Sequence, residues 1–122
     1  DEGVMQHVLD NEGYFSDQLR AMGDAHRSVR EVRGTGYFYA VDLCADSVED
    51  KDLSPTQEAS LRSGVLGSFV REERMTVRPD DRGYTGLTIS PPLIADRVVI
   101  DDLVARVDRV AGRVDEWLDV ND

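Results

Sequence analysis

The chain has 122 residues, 40% of them hydrophobic, and a formal net charge of -11, with a mean hydropathy of -0.41 and a pI near 4.5. That length holds one domain with a modest core, and no apolar run is long enough to span a bilayer. The acidic field repels both a phosphate backbone and an anionic lipid surface, so nucleic-acid and membrane partners are disfavoured.

The acid is spread over helix faces and loops and not gathered into a tail, which reads as a solubility device. One cysteine, Cys44, permits no internal disulfide. At the end of an apolar strand it is expected to be a small buried hydrophobe, in keeping with a reducing cytoplasm. The chain begins Asp-Glu-Gly-Val, without an initiator Met, and reads as a piece of a longer protein.

Residues 2 to 22 carry Val4, Met5, Val8, Leu9, Tyr14, Phe15, Leu19 and Met22 at helical intervals. Gly13 interrupts them at a cost of about 1 kcal/mol against Ala, so a kink or two shorter helices is expected there. Gly23 and Asp24 are expected to stop the helix. Strands follow over 28 to 33 and 36 to 44. In the second strand both alternating sets are substantially apolar, which predicts a central strand covered on both faces. Gly34 and Gly36 bracket Thr35 and predict a tight turn or bulge. A Gly-x-Gly between two strands has no helix N-terminus behind it, so a dinucleotide loop is a poor reading.

Residues 45 to 53 are acidic and loop-like, without the spacing or the glycine of a calcium loop. Ser54-Pro55-Thr56-Gln57 has the pattern of a capping box opening a helix that runs to about Glu73. Leu61, Val65, Leu66, Phe69 and Val70 form its apolar stripe, weakened locally by Gly64 and Gly67. Arg71 to Arg74 are expected to be an exposed last turn.

Two apolar runs, Met75 to Val77 and Leu87 to Ile89, flank a turn-rich segment and predict a β-hairpin with a long connection. Arg78 is expected at the end of the first strand beside Pro79, with Pro91 and Pro92 stopping the second. A guanidinium at a strand end suits an anion-binding arm. Asp96 is positioned to cap a last helix, roughly Arg97 to Asp119. Its stripe of Ile100, Leu103, Val104, Val107, Val110, Ala111, Val114, Trp117 and Leu118 is expected to pack on the sheet and not to form a coiled coil. Asp101, Asp102, Asp108, Arg109, Arg113 and Asp115 take the other sides.

His7 and His26 have no partner at metal-ligand spacing on the same helix face, so a zinc site is not expected. No nucleophile elbow or Ser-His-Asp order is present. Lys51 is the only lysine. Among Asp and Glu its charged form is favoured, the reverse of what an amine nucleophile needs.

In order and spacing, Val32-Arg33-Gly34-Thr35-Gly36 running into Tyr37 to Leu43, then Val77-Arg78-Pro79, then Ile89-Ser90-Pro91-Pro92-Leu93-Ile94 and an amphipathic helix resemble the C-terminal small domain of class III (ω-type) pyridoxal-phosphate-dependent aminotransferases. The resemblance covers about three-quarters of the chain. It implies an α+β fold, a three- to four-stranded mainly antiparallel sheet with helices packed on one face, preceded by a linking helix. Residues 1–24 would be the linking helix from a large domain and 25–122 the small domain.

The implied parent enzyme moves an amino group from an amine or ω-amino acid to a 2-oxo acid such as pyruvate, with pyridoxal 5'-phosphate as cofactor. The family's cofactor lysine and its acid partner lie in the large domain, so neither catalytic nor cofactor-binding residues are expected in this chain. Arg78 falls on the position whose arginine clamps the substrate carboxylate. Where acetylornithine or 4-aminobutyrate relatives often carry a second arginine, this chain has Thr88, which leans to the ω-amino acid:pyruvate and diaminopelargonate-like branches. The implied partners are the two substrates, the large domain of the same chain and a second copy in a cytoplasmic homodimer. Alone, the chain is expected to expose apolar surface, to self-associate and to be inactive. The alternatives are a free-standing module that binds a small acid or mediates dimerisation, and a decarboxylase or aminomutase of the same family.

Overall fold

The computed structural model describes residues 2–35, 38–73, 78–80, 85–89 and 97–121, the side chains of 2–12, 35, 38 and 78–80 excepted. Helix α1 spans Glu2–Asp24 and leads into strands β1, Val29–Thr35, and β2, Phe38–Leu43. A broken helix follows as α2, Pro55–Ser60, a π-helical segment, Leu61–Val65, and α3, Leu66–Glu72. Strands β3, Arg78–Asp80, and β4, Gly86–Ile89, precede the last helix α4, Arg97–Val120. The four strands form one antiparallel sheet in the order β1-β2-β4-β3. This is the expected α+β architecture, at the four-stranded end of its range.

Strand β2 is central, as predicted, but it is buried on one face only. Tyr39 and Val41 are in the core, while Ala40 and Asp42 between them are half-buried. The helices take up the first face, and small or charged residues tolerate the second. Near Gly34 and Gly36, Thr35 pairs with Phe38; further along the same ladder Val29 pairs with Leu43 and Glu31 with Asp42, which leaves Arg30 as the extra residue of a β-bulge. Gly34 keeps its own reason to be glycine, a φ of 118° opposite Tyr39. Residues 36 and 37 lie outside the described residues.

Helix α1 runs through Gly13 without the expected kink. Gly13 is exposed, and the apolar grip of Phe15, Leu19 and Met22 below it outweighs one poor helix former. Gly23 does not act as a left-handed cap; it lies inside the helix, where a Cβ would stand 2.9 Å from Val32 Cγ2 and 3.2 Å from Val29 Cγ1. Its role is close approach of α1 to β1. The packing partners of the first half of α1 lie outside the described side chains.

The capping box forms as predicted. Ser54 Oγ accepts from the Gln57 amide at 3.1 Å, and Gln57 Oε1 accepts from the Ser54 amide at 2.8 Å. Gln57 also donates to the Asn121 carbonyl at 3.1 Å, pinning the end of α4. The single helix expected from Ser54 to Glu73 is interrupted instead: Gly64 adopts φ 157°, ψ -21° and the backbone takes up a π-helical turn. The acidic loop is tied down by Asp46, whose side chain accepts from the amides of Val48 and Glu49 at 2.9 and 3.3 Å. Arg30 reaches Asp52 at 2.5 Å and Asp50 at 3.6 Å.

The core lies between the helices and one face of the sheet. Phe15 meets Tyr39 edge-on at 5.1 Å between ring centres. The α4 stripe enters as expected, with Ile100, Val107, Val110, Ala111, Val114 and Leu118 buried. Cys44 is buried too, its thiol donating to the Arg27 carbonyl at 3.4 Å. Burial pushes that thiol's pKa up. The described residues expose Val48, Val98, Val99 and Val120 among large apolar side chains. No helix among the described residues is long and apolar enough to cross a membrane.

Candidate functional site

Arg78 opens strand β3, at the outer edge of the sheet beyond β4. The expected strand over Met75 to Val77 lies outside the described residues, as do residues 81–84, Pro91, Pro92 and the Asp96 cap. The described strand carries Arg78, Pro79 and Asp80, each paired with β4. Proline is tolerated there because an edge strand needs no ladder bond on its outer side.

Two anchors fix the chain around this strand. Arg62 of the π-helical segment donates to Thr85 Oγ1 at 3.1 Å, just ahead of β4. Just ahead of β3, the end of α3 is clasped by α4. Arg109 Nε donates to Glu73 Oε1 at 2.6 Å, Arg113 pairs with Glu72 at 2.5 Å, and Arg106 donates to the Glu73 carbonyl. Arg71 and Glu72 are exposed, as expected of the last turn, and these contacts bring cations to the negative end of a helix.

Register assembles one row across the whole sheet: Arg33 pairs with Ala40, Ala40 with Thr88, and Thr88 with Arg78. The neighbouring row is Glu31, Asp42, Gly86 and Asp80. Buried Val41, Leu87 and Ile89 alternate with the first row, which places it on the face away from the helices. Two arginine positions thus end a row whose middle is a small residue and a threonine, about 14 Å apart over three strand spacings. Arg33 is held at 2.8 Å from Asp42. At the opposite edge of the sheet, a cleft of about 450 Å³ is lined by Arg20, Asp24, Arg30, Glu31 and Ser47. Its charges are mixed, and Arg30 is already engaged by Asp52.

Lys51 is exposed, in a loop where its amide and that of Asp46 exchange backbone bonds at 2.7 and 3.1 Å. A pyridoxal cofactor needs a lysine whose amine is held dry and uncharged. Lys51, exposed in an acidic loop, does not fit that group. Among the described residues no group of three or more His, Cys, Asp or Glu is placed to hold a metal ion.

His26, set aside in the sequence for want of a partner on its own helix face, has two from another helix. Its Nδ1 lies 2.6 Å from Asp115 Oδ2 and its Nε2 lies 2.6 Å from Asp108 Oδ1. Both carboxylates are more than 80 residues away, at separations of 89 and 82. No local spacing could have announced them.

No family model matches the chain. It is 33% identical over 110 residues to an ornithine aminotransferase of Bordetella pertussis, covering 90% of this chain and 22% of that protein. It is 26% identical over 117 residues to the diaminobutyrate–2-oxoglutarate transaminase of Halomonas elongata, covering 96% of this chain and 24% of that one. The fold matches an (S)-enantioselective omega-transaminase of Thermomicrobium roseum with a TM-score of 0.73 at 24% identity, over 93% of this chain and 24% of its counterpart. The chain therefore spans about a quarter of the length of the curated relatives it matches. Ornithine and diaminobutyrate enzymes both stand among them, so these matches do not sort the branch that Thr88 suggests. Sequence and fold agree that the chain belongs to the class III (ω-type) aminotransferases, as the part corresponding to their C-terminal small domain.

Proposed function

We propose that this chain is the substrate-carboxylate arm of a full-length aminotransferase, with residues 1–24 linking it to a large domain and 25–122 forming the small domain. The parent transfers an amino group from an amine or ω-amino acid to a 2-oxo acid such as pyruvate. Its pyridoxal phosphate and the lysine that holds it belong to the large domain, and the chain alone is inactive. The parent works as a cytoplasmic homodimer of the ω-amino acid:pyruvate or diaminopelargonate-like branch.

Arg78 is the residue that takes the substrate carboxylate. The observation that carries this reading is its register on the edge strand, opposite Thr88 and anchored by α4 through the end of α3. A planar fork of donors matches a carboxylate bidentately, and an edge position leaves one side of the strand open to a ligand.

In the full-length enzyme, Arg78→Ala is expected to lower kcat/KM for a carboxylate-bearing acceptor by roughly 10- to 100-fold, the loss of about 1.5–3 kcal/mol of charged hydrogen bonding. The effect on simple amine donors should be smaller. Equal losses for both would remove Arg78 from this role.

A further inference from the structure

The turn between α1 and β1 is fastened to α4 by contacts grouped around one histidine. His26 presents both ring nitrogens to acids, Asp108 on one side and Asp115 on the other. Asp115 uses its second oxygen to accept from the Ser28 amide at 3.1 Å, and Ser28 Oγ donates to the Ala111 carbonyl at 3.4 Å. Arg27 of the same turn pairs with Asp119 one turn further along α4. Asp108, Asp115 and Asp119 stand at helical spacing on one face of α4, so the whole turn lies against one acidic stripe.

A neutral imidazole has one N–H and one lone pair. Only the doubly protonated ring can donate to two carboxylates at once. In the neutral ring one nitrogen lone pair would face a carboxylate oxygen at hydrogen-bond distance, which is repulsive. The charged groups about the ring are Asp108 and Asp115 of α4, with Asp24 and Arg27 flanking it in its own segment. Arg27 is taken up by Asp119.

We propose that His26 is a proton-operated latch: protonated, it bridges Asp108 and Asp115 and holds the α1–β1 turn on α4; deprotonated, it lets go of one of them. The direction of the ring's titration agrees. Burial works against the charged form, but the hydrogen bonds and negative charge of Asp108 and Asp115 outweigh it, and the pKa stands above that of an ordinary histidine. A raised folded-state pKa stabilises the fold below the unfolded value, about 6.5. That contribution is lost as pH rises through the folded value.

The test is a pH titration of the 122-residue chain with isotope-labelled histidine, followed by NMR at the ring carbons and nitrogens, with His7→Gln assigning the His26 signals. The expected result is a His26 midpoint above the free value of about 6.5, with both ring nitrogens protonated below that midpoint. Asp115→Asn should lower the midpoint by roughly one unit, the usual effect of removing a close opposite charge. In parallel, Tm of the wild-type chain should fall as pH rises from about 6.5 through the His26 midpoint, and should fall less in His26→Gln. A midpoint at or below the free value, or a Tm whose pH dependence is unchanged in His26→Gln, would overturn the latch. If His26→Gln does not fold, the wild-type titration decides alone.

Discussion

Arg78 and Thr88 are Cα partners across the β3–β4 ladder. Opposed residues of an antiparallel pair share a face with their Cβ atoms about 4.5–5.5 Å apart. Thr88→Arg would put two cations at directly paired positions, at a cost of up to about 1 kcal/mol. The urea midpoint is expected to drop at low ionic strength and to recover as salt screens the pair. A midpoint indifferent to salt would mean that the two positions are not opposed.

Helix α1 offers a contrast between two glycines. Gly13 is exposed and a Cβ there meets nothing within 4 Å, whereas at Gly23 it would press on Val32 at 2.9 Å. Gly13→Ala is expected to stabilise the chain by about 0.5–1 kcal/mol. Gly23→Ala is expected to cost about 1–3 kcal/mol by forcing α1 away from β1. Denaturant melts of the two variants check both signs. Equal shifts would contradict the close approach.

Ser54→Ala removes the oxygen that accepts the Gln57 amide and should cost about 0.5–2 kcal/mol. Gln57→Ala loses its half of the box and also the bond to the Asn121 carbonyl. It is expected to destabilise the chain further and to raise hydrogen exchange at the end of α4, which Ser54→Ala should not do. The same exchange pattern in both variants would show that the Gln57–Asn121 contact does not form.

Cys44 should be unreactive in the folded chain. It is buried, and burial raises its pKa, so little thiolate is available near neutral pH. A thiol reagent at about pH 8 is expected to modify it only in denaturant, at the rate of a free cysteine. Rapid labelling under native conditions would refute that burial.

Some of this fold was legible because its signals are short-range. The Ser54–Gln57 box closes within three residues, and the α4 stripe repeats every three or four, so both appear in the chain as written. The central position of β2 follows from its two apolar sets, but the half-buried state of Ala40 and Asp42 does not, since a small residue fits either environment. Other features depend on partners brought in from afar. The π-turn at Gly64 reflects a backbone break that a tolerant glycine permits but does not announce. Likewise, Glu73 looked like a solvated end until Arg106 and Arg109 of α4 were set against it. The place of Arg78 in the row with Arg33 emerged only from three successive pairings, none of them local.

The bond between His26 and Asp115 joins residues 89 positions apart, and the apolar side of α1 is buried with a helix equally late in the chain. At about 5–20 residues per second, a ribosome needs roughly 4–18 s to supply that partner. For that interval Phe15, Leu19 and Met22 have no α4 to lie against. A nascent chain stalled before Arg97 should therefore be an aggregation-prone client for chaperones, and its release should coincide with synthesis of the final helix.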